Sequence, residues 1–299
     1  MNKKKDIFFC IGAQKSGTTT LHDILNQNKS ILLPKEKETH FFSVEELYSN
    51  DVSIYFQKYF DQKRLLSNDY LIGEVDPSYC YFEGTSKRIF EAMNDSFNIK
   101  FIFILRDPVK RAYSHYLMSK RRGVELLSFE EAIEIENVRI KKDQFSKANF
   151  SYLSRGYYSV QIENYFKYFK PENFLFIRFE DDLIKQKEET FKVISRFLKI
   201  DYFNYNFNLK SNPASEPKSK FIRDLLLKNN VVKSFLLPLI PSKKIRRLLK
   251  KKIIKLNLKV ANNSKLDPDQ LKRIYELYYK KEIENLERNL NLDFNSWKH

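Results

Sequence analysis

Ile7-Phe-Phe-Cys-Ile-Gly12-Ala-Gln-Lys15-Ser-Gly17-Thr18-Thr-Thr20 decides the fold. Ile7 to Ile11 is a short, unbroken apolar run, the pattern of a strand covered on both faces of a parallel sheet. Two glycines with the spacing G-x-x-x-x-G follow, and then a threonine triplet opens a helical pattern predicted over Thr18 to Asn28. A strand, a glycine loop and a helix start make an anion site. The first amides of a helix lack intrahelical partners, and its dipole is positive at that end.

In a nucleoside-triphosphate loop of this spacing, a lysine follows the second glycine and reaches the β and γ phosphates. Here Thr18 occupies that position, and the lysine lies inside the loop at Lys15. A lysine with shorter reach suits a single 5′-phosphate and the group attached to it. An ordinary strand-to-helix turn is the bland alternative.

Three more apolar runs read as buried strands: Leu71 to Val75, Phe101 to Leu105 and Phe174 to Phe179. Helical patterns separate them, which predicts crossover units and a parallel sheet. Asp107-Pro108 supplies an N-cap and a first-turn proline for a helix to about Lys120. Ser128 with Glu131 is a capping-box pattern. Asp267-Pro268 opens a final helix to about Leu290. Ser211 to Lys218 is rich in turn residues and reads as a loop.

The chain has 299 residues and a formal net charge of +16, which favours anionic partners without choosing among them. No apolar run is long enough to span a bilayer. The short N-terminal apolar run continues into the glycine loop without a cleavage-site pattern, so it reads as the first core strand of a cytoplasmic protein. Cys10 lies in that strand and reads as a buried thiol. The four histidines are scattered, and no metal-ligand spacing is present.

These segments resemble the sulfotransferases that use 3′-phosphoadenosine-5′-phosphosulfate (PAPS), in particular the carbohydrate group with the heparan sulfate enzymes and their bacterial relatives. Gln14 to Thr19 is similar to that family's 5′-phosphosulfate loop. Phe103-Ile-Leu-Arg106-Asp-Pro-Val-Lys-Arg-Ala-Tyr-Ser114 resembles its 3′-phosphate motif. Lys37-Glu38-Thr-His40-Phe-Phe resembles its acidic motif, and Gly73-Glu-Val-Asp-Pro-Ser-Tyr its acceptor-side segment. Leu286 through Trp297 also looks familial.

The resemblance implies one sulfotransferase domain over 1–299, with a P-loop NTPase-like three-layer α/β fold around a central parallel sheet and a helical C-terminal region. It implies that Lys15, Ser16, Gly17, Thr18 and Thr19 grip the 5′-phosphosulfate. Arg106 and Ser114 would fix the 3′-phosphate, and Lys218 and Lys220 would close over it. Glu38 would be the general base for an acceptor hydroxyl or amine, with His40 as its rival. PAPS is the implied sulfuryl donor and a carbohydrate or glycolipid the acceptor; no metal or nucleic acid is called for, and the oligomeric state stays open.

The residues keep plainer readings as well. Lys35, Glu36, Lys37 and Glu38 form a run that also suits a solvated charge cluster. Arg106 also suits a surface pair with Asp107. Val75 departs from the lysine that animal heparan sulfate enzymes often carry there, which leaves a heparan-type acceptor unsupported. Asp76 suits either an acceptor contact or a turn cap before Pro77.

From Leu225 to Leu266 there is no acidic residue. Within the basic segment of about 221–262, Ile245, Leu249, Ile253, Leu256 and Val260 recur at helical spacing. That stripe suits packing on the domain, an electropositive rim for an anionic acceptor, or peripheral contact with an anionic membrane. Two rivals to the sulfotransferase are a P-loop kinase or NTPase using Asp107 on a metal, and a non-catalytic protein that binds membranes or polyanions. The kinase fails to explain Thr18 and Arg106, and the binding protein fails to explain the loop.

Overall fold

The computed structural model describes residues 4–66, 70–208, 215–217, 219, 242, 258–260 and 266–299. It divides into two compact units. The first comprises Met1–Arg111, Ser154–Leu209 and Leu271–His299, and the second Ala112–Leu153 and Lys210–Gln270.

The first unit holds a parallel sheet of β1 (Lys5–Gly12), β2 (Ile31–Leu32), β3 (Leu71–Val75), β4 (Phe97–Leu105) and β5 (Phe174–Arg178), in the order β2-β3-β1-β4-β5. The expected P-loop-like α/β architecture is present. Each predicted strand is found, and β1 is exposed only at its first two residues. β2 was not foreseen, because two residues carry no readable period; pairing with Leu71 and Ile72 makes them a strand. β4 starts before Phe101, since Phe97 to Lys100 pair with Lys5 to Phe8 in register. β5 stops at Arg178, and Phe179–Ile184 winds into a π-helical turn that Arg178 closes by pairing with Asp182 at 2.6 Å.

Ahead of its C-terminal segment, the helices of this unit are α1 (Thr18–Leu25), α2 (Val52–Tyr59), α3 (Gln62–Leu65), α4 (Thr85–Met93), the start of α5 (Pro108–Arg121), and α9 (Tyr158–Phe166) and α10 (Lys187–Leu198). Leu21, Ile24 and Leu25 of α1 and Phe191, Ile194 and Leu198 of α10 pack with Phe8, Cys10, Val75, Ile102, Ile104 and Ile177 in one buried cluster. Cys10 and Cys80 are free thiols, and burial pushes each up to about 12.

The second unit contains the rest of α5 with α6 (Phe129–Glu134), α7 (Glu136–Arg139) and α8 (Gln144–Phe150). The capping box forms as expected: Ser128 Oγ accepts from the Glu131 amide, and Glu131 accepts from the Ser128 amide at 2.8 Å. Glu125, buried, accepts from Arg139 at 2.7 Å and from the Tyr152 hydroxyl at 2.9 Å.

Two expectations need correction in this unit. Ser215–Pro217, expected as loop, pairs antiparallel with Leu258–Val260. Val260, expected on a helical stripe, is therefore in a strand. Pairing between segments overrides local pattern, and Pro217 is tolerated at the end of so short a strand. Otherwise the basic segment of about 221–262 lies outside the described residues, apart from 242 and 258–260.

The final helical region is α11 (Pro268–Ile274), a π-helical stretch (Tyr275–Tyr279) and α12 (Lys280–Leu290). It covers the span predicted for one helix. Among the described residues no helix is long and apolar enough to cross a membrane.

Candidate active site

In open α/β sheets, ligands bind beyond the carboxyl ends of the strands, where the strand order reverses. Here that edge is formed by the ends of β3, β1 and β4. The Asp76 amide donates to the Cys10 carbonyl at 3.0 Å, which sets the end of β3 beside β1. The Ala13 amide donates to the Ile104 carbonyl at 2.8 Å, which ties the loop after β1 to β4.

The loop turns through left-handed backbone at Lys15 (φ 72°) and Gly17 (φ 81°). Glycine is needed at both ends. A Cβ on Gly12 would lie 2.5 Å from Cys80 Sγ, and one on Gly17 would lie 2.6 Å from the Phe179 ring. Gly17 is the N-cap of α1 and offers no side-chain acceptor to the first-turn amides of Thr18 and Thr19. Ser16 is fully buried, and its hydroxyl has no hydrogen-bond partner; Gln14 Oε1 is likewise unpartnered. A buried hydroxyl donor beside uncapped helix amides is costly unless paired, and a phosphate or sulfate oxygen satisfies it. The loop therefore fits the anion expected there.

Arg106 follows β4. Its Nη1 donates to the Lys15 carbonyl at 2.6 Å, and its guanidinium lies over the Phe179 ring, 4.9 Å from the centroid. Its ionic partner is Glu180, at 3.5 Å, and the two are not aligned as a hydrogen bond. Asp107 is not the partner. It caps α5, accepting from the amides of Val109 and Lys110, and its other oxygen takes His299 at 2.8 Å and Lys110 Nζ at 2.9 Å. Burial raises the Asp107 carboxyl, but His299 and Lys110 outweigh it and hold it low. Burial lifts the Glu180 carboxyl, and Arg106 opposes the lift.

Glu38 and His40 lie between β2 and β3, both in left-handed backbone. Lys37 Nζ sits 2.6 Å from Glu38 Oε1, and His40 Nε2 is 3.9 Å from Glu38 Oε2. On its other side, His40 Nδ1 is 2.8 Å from Asp76 Oδ2. The His40 side chain is 40% exposed, so it is not a core histidine, and Glu38 is exposed to a similar degree. The hydrogen bond that the His40 ring donates to Asp76 raises the His40 pKa against the effect of burial. Behind them Glu74 is buried and accepts from the Tyr55 and Tyr79 hydroxyls at 2.6 and 3.0 Å. Burial lifts its carboxyl, and the charge of Asp76 adds to the lift.

Lys15 and Arg106 are thus brought together, and so are Glu38 and His40, all along the strand ends of the first unit. Ser114 falls in the second unit, half-buried on α5. Lys218 and Lys220 lie outside the described residues. Val75 is buried in the core cluster. The sequence reading missed Glu180, Phe179 and Glu74. The first two were findable, because they directly follow a strand at the edge where Arg106 had been placed. Among the described residues no cluster of His, Cys, Asp or Glu is arranged to hold a metal ion.

The membrane-associated sulfotransferase kil1 of Dictyostelium discoideum is 38% identical over 112 residues, covering 38% of this chain and 22% of that protein. The bifunctional heparan sulfate N-deacetylase/N-sulfotransferase 4 of Mus musculus is 28% identical over 213 residues, covering 69% of this chain and 24% of that protein. The matched stretches are under a quarter of either relative's length. The crystal structure of a sulfotransferase from Alicyclobacillus acidocaldarius superposes with a TM-score of 0.66 over 99% of both chains at 22% identity, a shared fold. The sulfotransferase domain pattern matches residues 5–220, more than half of the chain, and the chain belongs to the sulfotransferase family.

Proposed function

We propose that the chain transfers a sulfuryl group from PAPS to a hydroxyl or amine of a carbohydrate or glycolipid acceptor. The observation that carries this is the bond from Arg106 to the Lys15 carbonyl at the carboxyl edge of the sheet, which joins the two phosphate-binding motifs. Lys15, Ser16, Gly17, Thr18 and Thr19 hold the 5′-phosphosulfate. Arg106 holds the 3′-phosphate with Ser114, and Lys218 and Lys220 add charge to it. A guanidinium suits a terminal phosphate because it donates in a planar fork.

In the reaction the acceptor oxygen or nitrogen forms a bond to sulfur as the bridging S–O bond breaks. Glu38 takes the acceptor proton. Negative charge grows on the bridging oxygen of the departing adenosine 3′,5′-bisphosphate. Lys15 and the first amides of α1 meet that charge, a stabilisation realised mostly in the transition state. The basic segment of about 221–262 serves an anionic partner, either the acceptor or an acidic membrane surface at which a lipid-linked acceptor is presented.

Calorimetry with adenosine 3′,5′-bisphosphate and with 5′-AMP tests the donor assignment. Tighter binding of the bisphosphate is expected, and equal affinities would remove Arg106 from the site. ATP with magnesium as the preferred ligand would favour the kinase reading. Glu38→Gln, which keeps shape and removes the base, should abolish transfer with donor binding intact. A larger loss in His40→Gln would give the role of base to His40.

A further inference from the structure

The segment that carries both candidate bases is held from outside. Glu38 has φ 65° and His40 φ 55°. Two non-glycine residues in left-handed backbone persist only where their surroundings over-determine them. The Thr39 amide donates to Glu74 Oε1 at 3.1 Å, and the His40 amide donates to Asp76 Oδ2 at 2.8 Å. The same Asp76 oxygen lies 2.8 Å from His40 Nδ1. Asp76 Oδ1 accepts from the Ser78 amide at 2.9 Å. Asp76 has no exposed surface, so it does not meet an acceptor.

We propose that Asp76 is a positioning residue for the transfer: it holds His40 with the proton on Nδ1, leaving a lone pair on Nε2 that faces Glu38 and receives the proton Glu38 takes from the acceptor. The inference rests on the reading of Glu38 as the base. One carboxylate oxygen fixes both the backbone and the ring of His40. The ring's free edge is then directed at Glu38 Oε2, the oxygen that Lys37 leaves open. The 3.9 Å separation is longer than a hydrogen bond, and such contacts tighten when substrate is bound.

The proton balance is simple. The acceptor–sulfur bond forms, and the bridging S–O bond breaks with its electron pair leaving on the bisphosphate. The acceptor proton passes to Glu38 and then to His40 Nε2, which regenerates the Glu38 carboxylate. The imidazolium is stabilised by Asp76 and, being part-exposed, releases the proton to water.

The charged groups facing His40 are Glu38 on its own segment, with Lys37 bound to it, and Asp76 and Glu74 from the end of β3. The Asp76 hydrogen bond is the main cause of a raised His40 pKa, with the charges of Asp76, Glu38 and Glu74 adding to it and burial opposing. Transfer needs His40 neutral. Activity should therefore fall as pH drops through the raised pKa, and the acid limb should lie above that of an ordinary histidine.

The test compares wild type with Asp76→Asn in the full chain, by ¹⁵N-histidine NMR and by transfer kinetics. An asparagine amide would donate to Nδ1 and move the ring proton to Nε2, as the wrong tautomer does in Asp–His pairs. The expected result is an Nδ1–H tautomer in wild type, an Nε2–H tautomer in the variant, and kcat lower on the order of 10²- to 10⁴-fold. The acid limb should move to lower pH, with bisphosphate affinity unchanged. An unchanged tautomer and acid limb in Asp76→Asn would overturn the proposal. If the variant does not fold, the wild-type tautomer decides: Nδ1–H supports it and Nε2–H overturns it. Glu38→Gln separates the two readings. Retained transfer there sinks Glu38 as base, while the His40 tautomer still reports on Asp76.

Discussion

Lys15 is held in left-handed backbone, with its carbonyl tied to Arg106. Its position in the loop, and not after the second glycine, suits the bridging oxygen of a phosphosulfate. On the proposed reading, the charge there matters most as the leaving group departs. Lys15→Ala should therefore lower kcat on the order of a hundredfold or more while changing bisphosphate affinity little. Single-turnover rates beside calorimetric affinities check this. A change confined to affinity would make Lys15 a binding residue only. Arg106 was legible from its strand-end position, but its partner was not. Asp107 adjoins it in sequence, yet Asp107 turns to cap α5 and Glu180 arrives from the π-helical turn after β5. Adjacency in sequence does not decide pairing when a cap competes for the same carboxylate.

The unit of strand, loop and helix from β1 to α1 was readable because its parts are local, although α1 ends at Leu25 and not at the predicted Asn28. An apolar run, two glycines and a threonine triplet each dictate their own conformation. Gly17 is the joint of this unit. Its φ of 81° and the nearby Phe179 ring leave no room for a side chain. Gly17→Ala should destabilise the chain by roughly 1–3 kcal/mol and weaken bisphosphate binding as well. Thermal unfolding and calorimetry of the variant check both. Wild-type values for both would show that the loop yields at no cost. The segment from Lys37 to Phe42 was legible only as a motif. Its left-handed turns are held by hydrogen bonds from the Thr39 and His40 amides to Glu74 and Asp76, more than thirty residues away, and no local pattern encodes them.

At the scale of the whole molecule, the net charge of +16 is a solution property, independent of fold. If the basic segment meets an acidic membrane, the chain should co-sediment with anionic liposomes at low salt. The attachment should weaken as salt rises, since exposed charges are screened over about 8 Å at physiological ionic strength. Changing Lys250, Lys251 and Lys252 together to glutamine should reduce it and leave bisphosphate affinity intact. No co-sedimentation at low salt would end the membrane reading.

What the sequence by itself determined is what depends on local patterns: the buried parallel strands, the glycine loop with its displaced lysine, the helix caps and the family. Continuous apolar runs and glycine-bearing turns are short-range codes, legible without knowing their partners. Tertiary structure alone decided the rest. It made strands of Ile31–Leu32 and of Ser215–Pro217 by giving them partners. It paired Arg106 with Glu180, and it buried Asp76 behind His40. Each of these is a contact between residues far apart in the chain. Their energies come from desolvation and hydrogen-bond geometry at the meeting point, which exist only once the sheet has brought the strand ends together.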